Sequence, residues 1–164
     1  MSNVLIGIIG VILFIGLALA GALFLGPRFQ EATLNSKAAA TVQAVSQVAH
    51  AAELRNLSSG AALTAAADSI GKLATEGWLK TVPVNPSGGS GLFLQAVDGG
   101  TAGNAHIVVA VLPRETKSKA LCEAVVRQTS GTMIDGSSTM ATDATGCVQA
   151  STDPLHFAVY ATIR

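Results

Sequence analysis

The two cysteines, Cys122 and Cys147, are the residues in this sequence with the clearest capacity for covalent chemistry. They lack CxxC spacing and a neighbouring histidine pair, so the pattern supports neither a zinc site nor a redox motif of the thioredoxin type. We therefore predict a disulfide between them. It would stabilise the C-terminal third by about 3.5 kcal/mol in the chain-entropy account, and it would indicate an oxidising compartment outside the cytoplasm. The alternative is two buried free thiols in a domain that faces the cytosol.

The other reactive side chains do not form a motif that performs catalysis. His50, His106 and His156 do not share metal-ligand spacing, so we expect solvated or structural histidines. Residues 88–91 (GGSG) could cradle a phosphate, but they do not open a predicted helix, which favours a flexible loop. The sequence contains no nucleophile elbow, Walker loop, HExxH or GxGxxG motif. We therefore predict a protein that is not an enzyme and holds no metal or cofactor.

Composition narrows the classes of partner. Ten basic and ten acidic side chains cancel, and no Lys/Arg cluster is present, so the electrostatic pattern of a nucleic-acid binder is missing. Hydrophobic residues make up 49% of the chain and charged residues 12%, with a mean hydropathy of +0.49. That balance excludes intrinsic disorder as the main state.

The apolar residues are concentrated at the N-terminus. Residues 4–25 carry no charged or strongly polar side chain, and the first ionisable side chain is Arg28. A helix of this segment would be about 33 Å long, which matches the hydrocarbon thickness of a bilayer. We predict a transmembrane or filament-core helix over residues 1–27. A secretory signal peptide is the alternative, but the segment lacks a basic start and its apolar run is long.

Glycines within this helix suggest close contact with other helices. Gly16 with Ala20, and Ala18 with Ala22, form pairs of small residues that let neighbouring backbones approach. Ordinary membrane-helix composition is the alternative explanation, because glycine is common in such helices. The residues predicted to pack in a helical core are Leu5, Gly7, Gly10, Phe14, Gly16, Ala20 and Gly21.

A second helical segment follows the first. Gly26 and Pro27 predict a break or weak point in the helix, because proline lacks the N–H that helical hydrogen bonding needs. Residues 28–57 then resume as the amphipathic half of the same helix, with apolar residues at three- and four-residue steps. The apolar face predicted for this half consists of Leu34, Ala38, Val42, Val45, Ala49 and Ala52.

Residues 58–164 have the pattern of predicted helices, strands and loops that is typical of a small α+β domain. A Gly- and Pro-rich loop over 83–91 separates a helical region from a β-rich one. We predict helices at 61–73 and 115–128, an antiparallel strand pair at 92–97 and 106–112, short edge strands around 133–134, and a terminal strand at 155–163. The predicted fold class is therefore α+β: a long N-terminal helix packed on a small antiparallel sheet with extra helices.

The order of these features resembles the type IV pilins, and within them the class b branch typified by the toxin-coregulated pilin. An uncharged apolar helix leads into an alanine-rich amphipathic half that contains Lys37-Ala38-Ala39, and a Pro/Asn-Pro segment follows at 83–86. A strand then leads into a helix that carries Cys122, and Cys147 precedes a terminal strand with Phe157-Ala158-Val159. The resemblance spans the whole chain, and the order of the motifs carries its specificity.

This resemblance implies a structural subunit of an extracellular filament. Such a subunit is held in the inner membrane before assembly, interacts there with pilus assembly machinery, and then polymerises with copies of itself through its N-terminal helix. The sheet lies outside the helical core, and a disulfide-bounded region near the C-terminus is exposed. The final location would be a pilus on the bacterial surface, with no nucleic acid in the structural role.

One residue departs from the family pattern. Type IV pilins usually carry a glutamate at the fifth mature position, and this sequence has Leu5 there. An apolar residue at this place occurs in tip-initiating pseudopilins, so a minor or tip subunit is an alternative. A single-pass envelope protein that binds a partner through its outer domain is another.

The charges beside the apolar segment bear on its orientation. Arg28 and Lys37 follow the segment, which by the positive-inside rule favours a cytoplasmic C-terminal domain. The cysteines favour the opposite side. Removal of a basic leader would resolve the conflict, and we expect the C-terminal domain to lie outside.

Overall fold

The computed structural model describes residues 2–66, 69–96, 105–129, 133–135, 144–149, 153 and 155–164. The chain divides into two compact units, Met1–Leu34 and Asn35–Arg164, which we call unit 1 and unit 2. The predicted elements that fall on residues 97–104, 130–132 and 136–143 lie outside the described residues.

The first element, α1, is a single helix over Ser2–Ser59. It continues through Gly26 and Pro27, so the predicted break does not end the helix. A proline removes one backbone donor, and hydrogen bonds on either side can keep the chain helical. The helix ends where Gly60, at φ 65°, adopts the left-handed conformation and donates its N–H to the Asn56 carbonyl at 2.9 Å.

The part of α1 in unit 2 is amphipathic, as the sequence pattern predicts. Ala38, Val45, Ala49 and Ala52 are buried, whereas Val42 is only partly covered. Leu34, the last residue of unit 1, is also only partly covered. Thr41 is also fully buried, and its hydroxyl donates to the Lys37 carbonyl at 2.8 Å, which satisfies it within the helix. Small residues dominate this face, so the helix can pack closely against the rest of unit 2.

The helix predicted at 61–73 is wrong in its first half, because α2 spans only Ser69–Thr75. The preceding backbone makes contacts outside a helix: the Leu63 N–H donates to Asn56 Oδ1 at 2.9 Å, and the Leu63 carbonyl accepts from Ala105 N–H at 2.6 Å. Leu63 and Ala65 are buried in this extended conformation. Tertiary contacts therefore override the helical propensity of the alanines.

Five strands form one sheet in the order β1-β2-β5-β4-β3. Their bounds are β1 Leu92–Gln95, β2 Ile107–Val111, β3 Met133–Asp135, β4 Thr145–Gln149 and β5 Phe157–Thr162. The pairs β1–β2, β2–β5 and β5–β4 are antiparallel. Strand β3 lies at the edge and pairs parallel to β4. The predicted β1–β2 pair, edge strand and terminal strand are confirmed, whereas β4 was not predicted from the sequence.

The two faces of the sheet differ in how they are covered. One face holds the fully buried side chains Val108, Phe157 and Val159. The other carries a smaller cluster of Ile107, Val109 and Tyr160, against which partly buried side chains pack. The first face therefore contributes to the main core of unit 2.

Helix α3 spans Lys117–Thr129, two residues later than the predicted start. Its buried residues are Ser118, Leu121, Cys122, Ala124 and Val125. The Ser118 hydroxyl donates to the Pro113 carbonyl. The helix packs against β4 and β5, and with the second half of α1 it gives the α+β arrangement that the sequence predicts.

The loop over 83–91 is held by one buried amide. Asn85 Nδ2 donates to the carbonyls of Ser90 at 2.6 Å and Val111 at 2.7 Å. Its Oδ1 accepts from the Ser87 N–H at 3.1 Å and from the Ser87 hydroxyl at 2.7 Å. Two donated and two accepted bonds satisfy this amide, so the loop is fixed to the end of β2.

Gly89 brings the same loop against β2. A Cβ atom at Gly89 would lie 2.0 Å from the Val111 carbonyl oxygen, whereas a Cβ at Gly91 would meet nothing within 4 Å.

We expect Gly89→Ala to destabilise unit 2 by about 1–3 kcal/mol, because the backbone must shift to make room for the methyl group. Urea unfolding of the full chain in detergent measures this, with Gly91→Ala as the matched control. Equal unfolding midpoints for the two variants would contradict the close approach.

Candidate assembly site

The apolar half of α1 is uncovered along the whole of its described length in unit 1. Its large hydrophobic side chains between Val4 and Leu23 are 49–76% exposed. No residue of its most apolar 18-residue window is buried. By length and composition, this is a helix that could cross a membrane. The predicted membrane-length helix is thus present, and its surface has no cover within unit 1.

The glycines of this helix leave notches in that surface. A Cβ atom built at Gly7, Gly10, Gly16 or Gly21 meets nothing within 4 Å. Larger side chains would therefore fit these positions in the isolated chain. Glycine costs about 1 kcal/mol of helix propensity relative to alanine in water, and no contact described in the chain requires glycine at these positions.

All seven residues predicted to pack in a helical core lie on this segment of α1. Leu5 is 63% exposed and Phe14 is 75% exposed, and Ala20 is exposed as well. They do not converge on a pocket, since they follow one another along a single helix. The segment can offer a surface for packing, and it presents no group that titrates between residues 4 and 25.

The predicted disulfide is confirmed. Cys122 on α3 is bonded to Cys147 on β4, with a Cα–Cα distance of 5.6 Å, and both residues are fully buried. Cys147 pairs with Val159 of β5 in the sheet register, so the bridge joins α3 to an inner strand. The bond ties the helix to the sheet across 25 positions of sequence.

The histidines and charged groups form a dispersed set of surface contacts. His50 Nδ1 lies 3.3 Å from Glu53 Oε2, and the other oxygen of Glu53 accepts the Arg164 N–H at 2.9 Å. Arg55 pairs with Glu76 at 3.1 Å. Within the described residues, no group of three or more His, Cys, Asp or Glu side chains could hold a metal ion.

A groove in unit 2 was not predicted from the sequence. It lies between the Ala40–His50 stretch of α1 and residues 83–86, with a volume of about 620 Å³. Its walls include Gln43, Gln47 and Val84. The Pro and Asn-Pro residues at 83–86 predict a loop, and the buried Asn85 amide holds that loop to the carbonyls of Ser90 and Val111.

Trp78 is 38% exposed, so part of its ring surface remains open to solvent. The GGSG stretch is part of the Asn85-bound loop, where the Gly89 N–H donates to the Ser87 hydroxyl at 3.3 Å.

Comparison with protein families, with curated proteins and with solved structures finds no match for this chain.

The disulfide generates a prediction about stability. Replacing both cysteines by serine (Cys122→Ser with Cys147→Ser) should destabilise unit 2 by about 3.5 kcal/mol, because the unfolded chain regains the freedom that the bridge removes. Chemical unfolding of the full chain in detergent measures the change. The control is the wild-type chain with reductant. Its unfolding transition should have the same denaturant midpoint as that of the variant. A variant that unfolds at the midpoint of the oxidised wild type would contradict a stabilising bridge.

Proposed function

We propose that this protein is the structural subunit of an extracellular filament of the type IV pilus kind, which polymerises through its N-terminal helix. Before assembly the subunit is held in the inner membrane by the same helix, and it interacts there with the assembly machinery. Afterwards the helix lies in the filament core and unit 2 lies on the bacterial surface.

The uncovered apolar surface of α1 carries the proposal. Contiguous exposed apolar surface of this size must be removed from water by lipid or by protein. A lipid-facing anchor tolerates any apolar sequence, whereas a helix that packs against other helices benefits from notches that let backbones approach. The glycines leave such notches, with open space at Gly7, Gly10, Gly16 and Gly21.

Contact between the helices of successive copies would be heterologous. Such an interface uses different surfaces on the two partners, and it generates an open helical polymer unless the rotation closes a ring. The absence of charge between residues 4 and 25 supports a helical core, since no charged group would be buried without a partner.

The disulfide supports the proposed extracellular location of unit 2. Cys122 and Cys147 are bonded and buried, and bonds of this kind persist in oxidising compartments. An extracellular filament exposes its outer domains to such conditions. The second half of α1 belongs to unit 2, so one continuous helix serves both the outer domain and the proposed core.

Leu5 favours a second candidate. If assembly uses a glutamate at the fifth mature position of each added subunit, a chain with leucine there would suit a minor or tip-initiating role. A single-pass envelope protein that binds a partner is the third possibility, and it would need the apolar helix only as an anchor.

Electron microscopy of material sheared from expressing cells, with mass spectrometry of the sheared fraction, tests the proposal. We expect thin, uniform fibres composed mainly of this chain. Fibres that contain it as a trace component would support the tip or minor subunit. A chain that stays in the membrane fraction, with no fibres formed, would overturn the filament proposal in favour of the membrane-anchored protein.

Gly16→Leu tests whether close helix packing drives assembly. We expect at least a tenfold loss of sheared filaments, because a leucine fills a notch that neighbouring helices need. The folded chain itself has room, since a Cβ at Gly16 meets nothing within 4 Å. Gly16→Ala is the matched control, and it should keep filaments because alanine preserves a small residue. Normal filament yield from Gly16→Leu, at an equal level of membrane-inserted subunit, would contradict the packing hypothesis.

A further inference from the structure

The bond between Cys122 and Cys147 lies entirely inside unit 2. Both cysteines are 0% exposed, so neither sulfur atom reaches the surface. Cys122 belongs to the buried face of α3, together with Leu121 and Val125, and α3 packs against β4 and β5. A reagent dissolved in water therefore cannot contact either sulfur atom while unit 2 is folded.

Strand β5 closes the other side of this site. Cys147 lies directly opposite Val159 of β5, so the two side chains point to the same face of the sheet. Val159 is fully buried, and so is Phe157, two residues earlier on the same face. Strand β5 follows both cysteines in the chain, and it becomes the central strand of the sheet, between β2 and β4. Its departure would divide the sheet, so the bridge cannot be uncovered there without opening the core of unit 2.

Helix α3 cannot uncover the bridge by itself either. The bond joins α3 to β4, so it holds the helix against the sheet for as long as it is intact. The fully buried Val125 lies one turn after Cys122, and a helix that moved away would expose both residues together. Access to the sulfur atoms therefore requires that helix and sheet separate as part of a larger opening.

The chemistry that makes such a bond requires direct contact with sulfur. The thiolate of one cysteine attacks an external disulfide, which forms a mixed disulfide and releases one external thiolate. The thiolate of the second cysteine then attacks the chain's own sulfur in the mixed disulfide, which forms the internal S–S bond and releases the second external thiolate. The two cysteines together lose two electrons and two protons, and the external disulfide gains them and becomes two thiols.

We propose that this exchange takes place only while unit 2 is open, so that an external disulfide must act on the chain before β5 closes the sheet. The order of events is oxidation first and closure of the core second. A chain that folded first would hold two buried thiols, which the oxidant could not reach until the unit opened again. The proposal concerns unit 2 alone and does not rest on the proposed filament.

Reduction of the bond tests the proposal, because exchange is reversible and uses the same mixed disulfide in both directions. The full-length oxidised chain in detergent is mixed with dithiothreitol, and samples are denatured and alkylated with iodoacetamide over time. Mass spectrometry then counts the free thiols. We expect reduction in buffer to be at least a hundredfold slower than in concentrated urea, because only the small open fraction of the protein reacts.

Urea below the unfolding transition distinguishes opening of the whole unit from a local movement. We expect the logarithm of the reduction rate to rise with urea as steeply as the unfolding equilibrium of unit 2, since both expose the same surface. The fluorescence of Trp78, the one tryptophan in the chain, reports that equilibrium without reductant. A local movement would expose little surface and give a shallow slope.

Gly89→Ala provides a second test, because Gly89 lies outside α3, β4 and β5. A variant that destabilises unit 2 from this distant loop raises the open fraction of the whole unit. We expect its bond to be reduced at least fivefold faster, by the factor by which the folded population falls. Gly91→Ala is the matched control, since its methyl group meets nothing within 4 Å, and it should leave the rate within twofold.

Three results would overturn the proposal. They are a reduction rate in buffer within tenfold of the rate in concentrated urea, a rate that does not respond to urea, and a destabilised Gly89→Ala chain whose bond is reduced as slowly as that of Gly91→Ala. Each would mean that a reagent reaches the sulfur atoms in the folded unit. If Gly89→Ala fails to fold, the urea series on the wild-type chain decides the question.

Discussion

The uncovered apolar surface of α1 between Val4 and Leu23 is the constraint on which the rest of this protein depends. Its large side chains are 49–76% exposed, and the segment contains no charge that could keep it in water. Such a surface must be removed from water by lipid or by protein. The proposed filament follows from that requirement together with the glycine notches. In the proposed stage before assembly, lipid would satisfy the same requirement.

Unit 2 has a different requirement, because it must fold stably through its own core rather than through the apolar half of α1. Its core combines the small-residue face of α1 with the buried face of the sheet. The Cys122–Cys147 bridge then holds α3 to β4 from within that core. Surface ion pairs such as Arg55–Glu76 add little, because exposed pairs contribute at most about 1 kcal/mol. Packing and the covalent bridge therefore carry the stability.

The loop at 83–91 shows how one buried polar residue shapes a surface. Asn85 has all its hydrogen-bonding capacity satisfied by main-chain and serine groups, so burying its amide leaves no donor or acceptor unpaired. The same bonds fix Val84 in an exposed position beside α1. A residue that serves the fold thus also defines the shape of the groove.

The sequence by itself determined the long helix, its apolar and amphipathic halves, the β1–β2 pair and the terminal strand, and it favoured a bond between the two cysteines over free thiols. These features follow from local periodicity, β-branched runs and the small number of cysteines. Tertiary structure decided the rest. Residues 61–66 are extended because Leu63 bonds to Asn56 and Ala105, and β4 forms because β5 and β3 flank it. The loop that lines the groove is held by Asn85, which donates to the Val111 carbonyl 26 positions away in sequence, and no local pattern encodes a contact of that range.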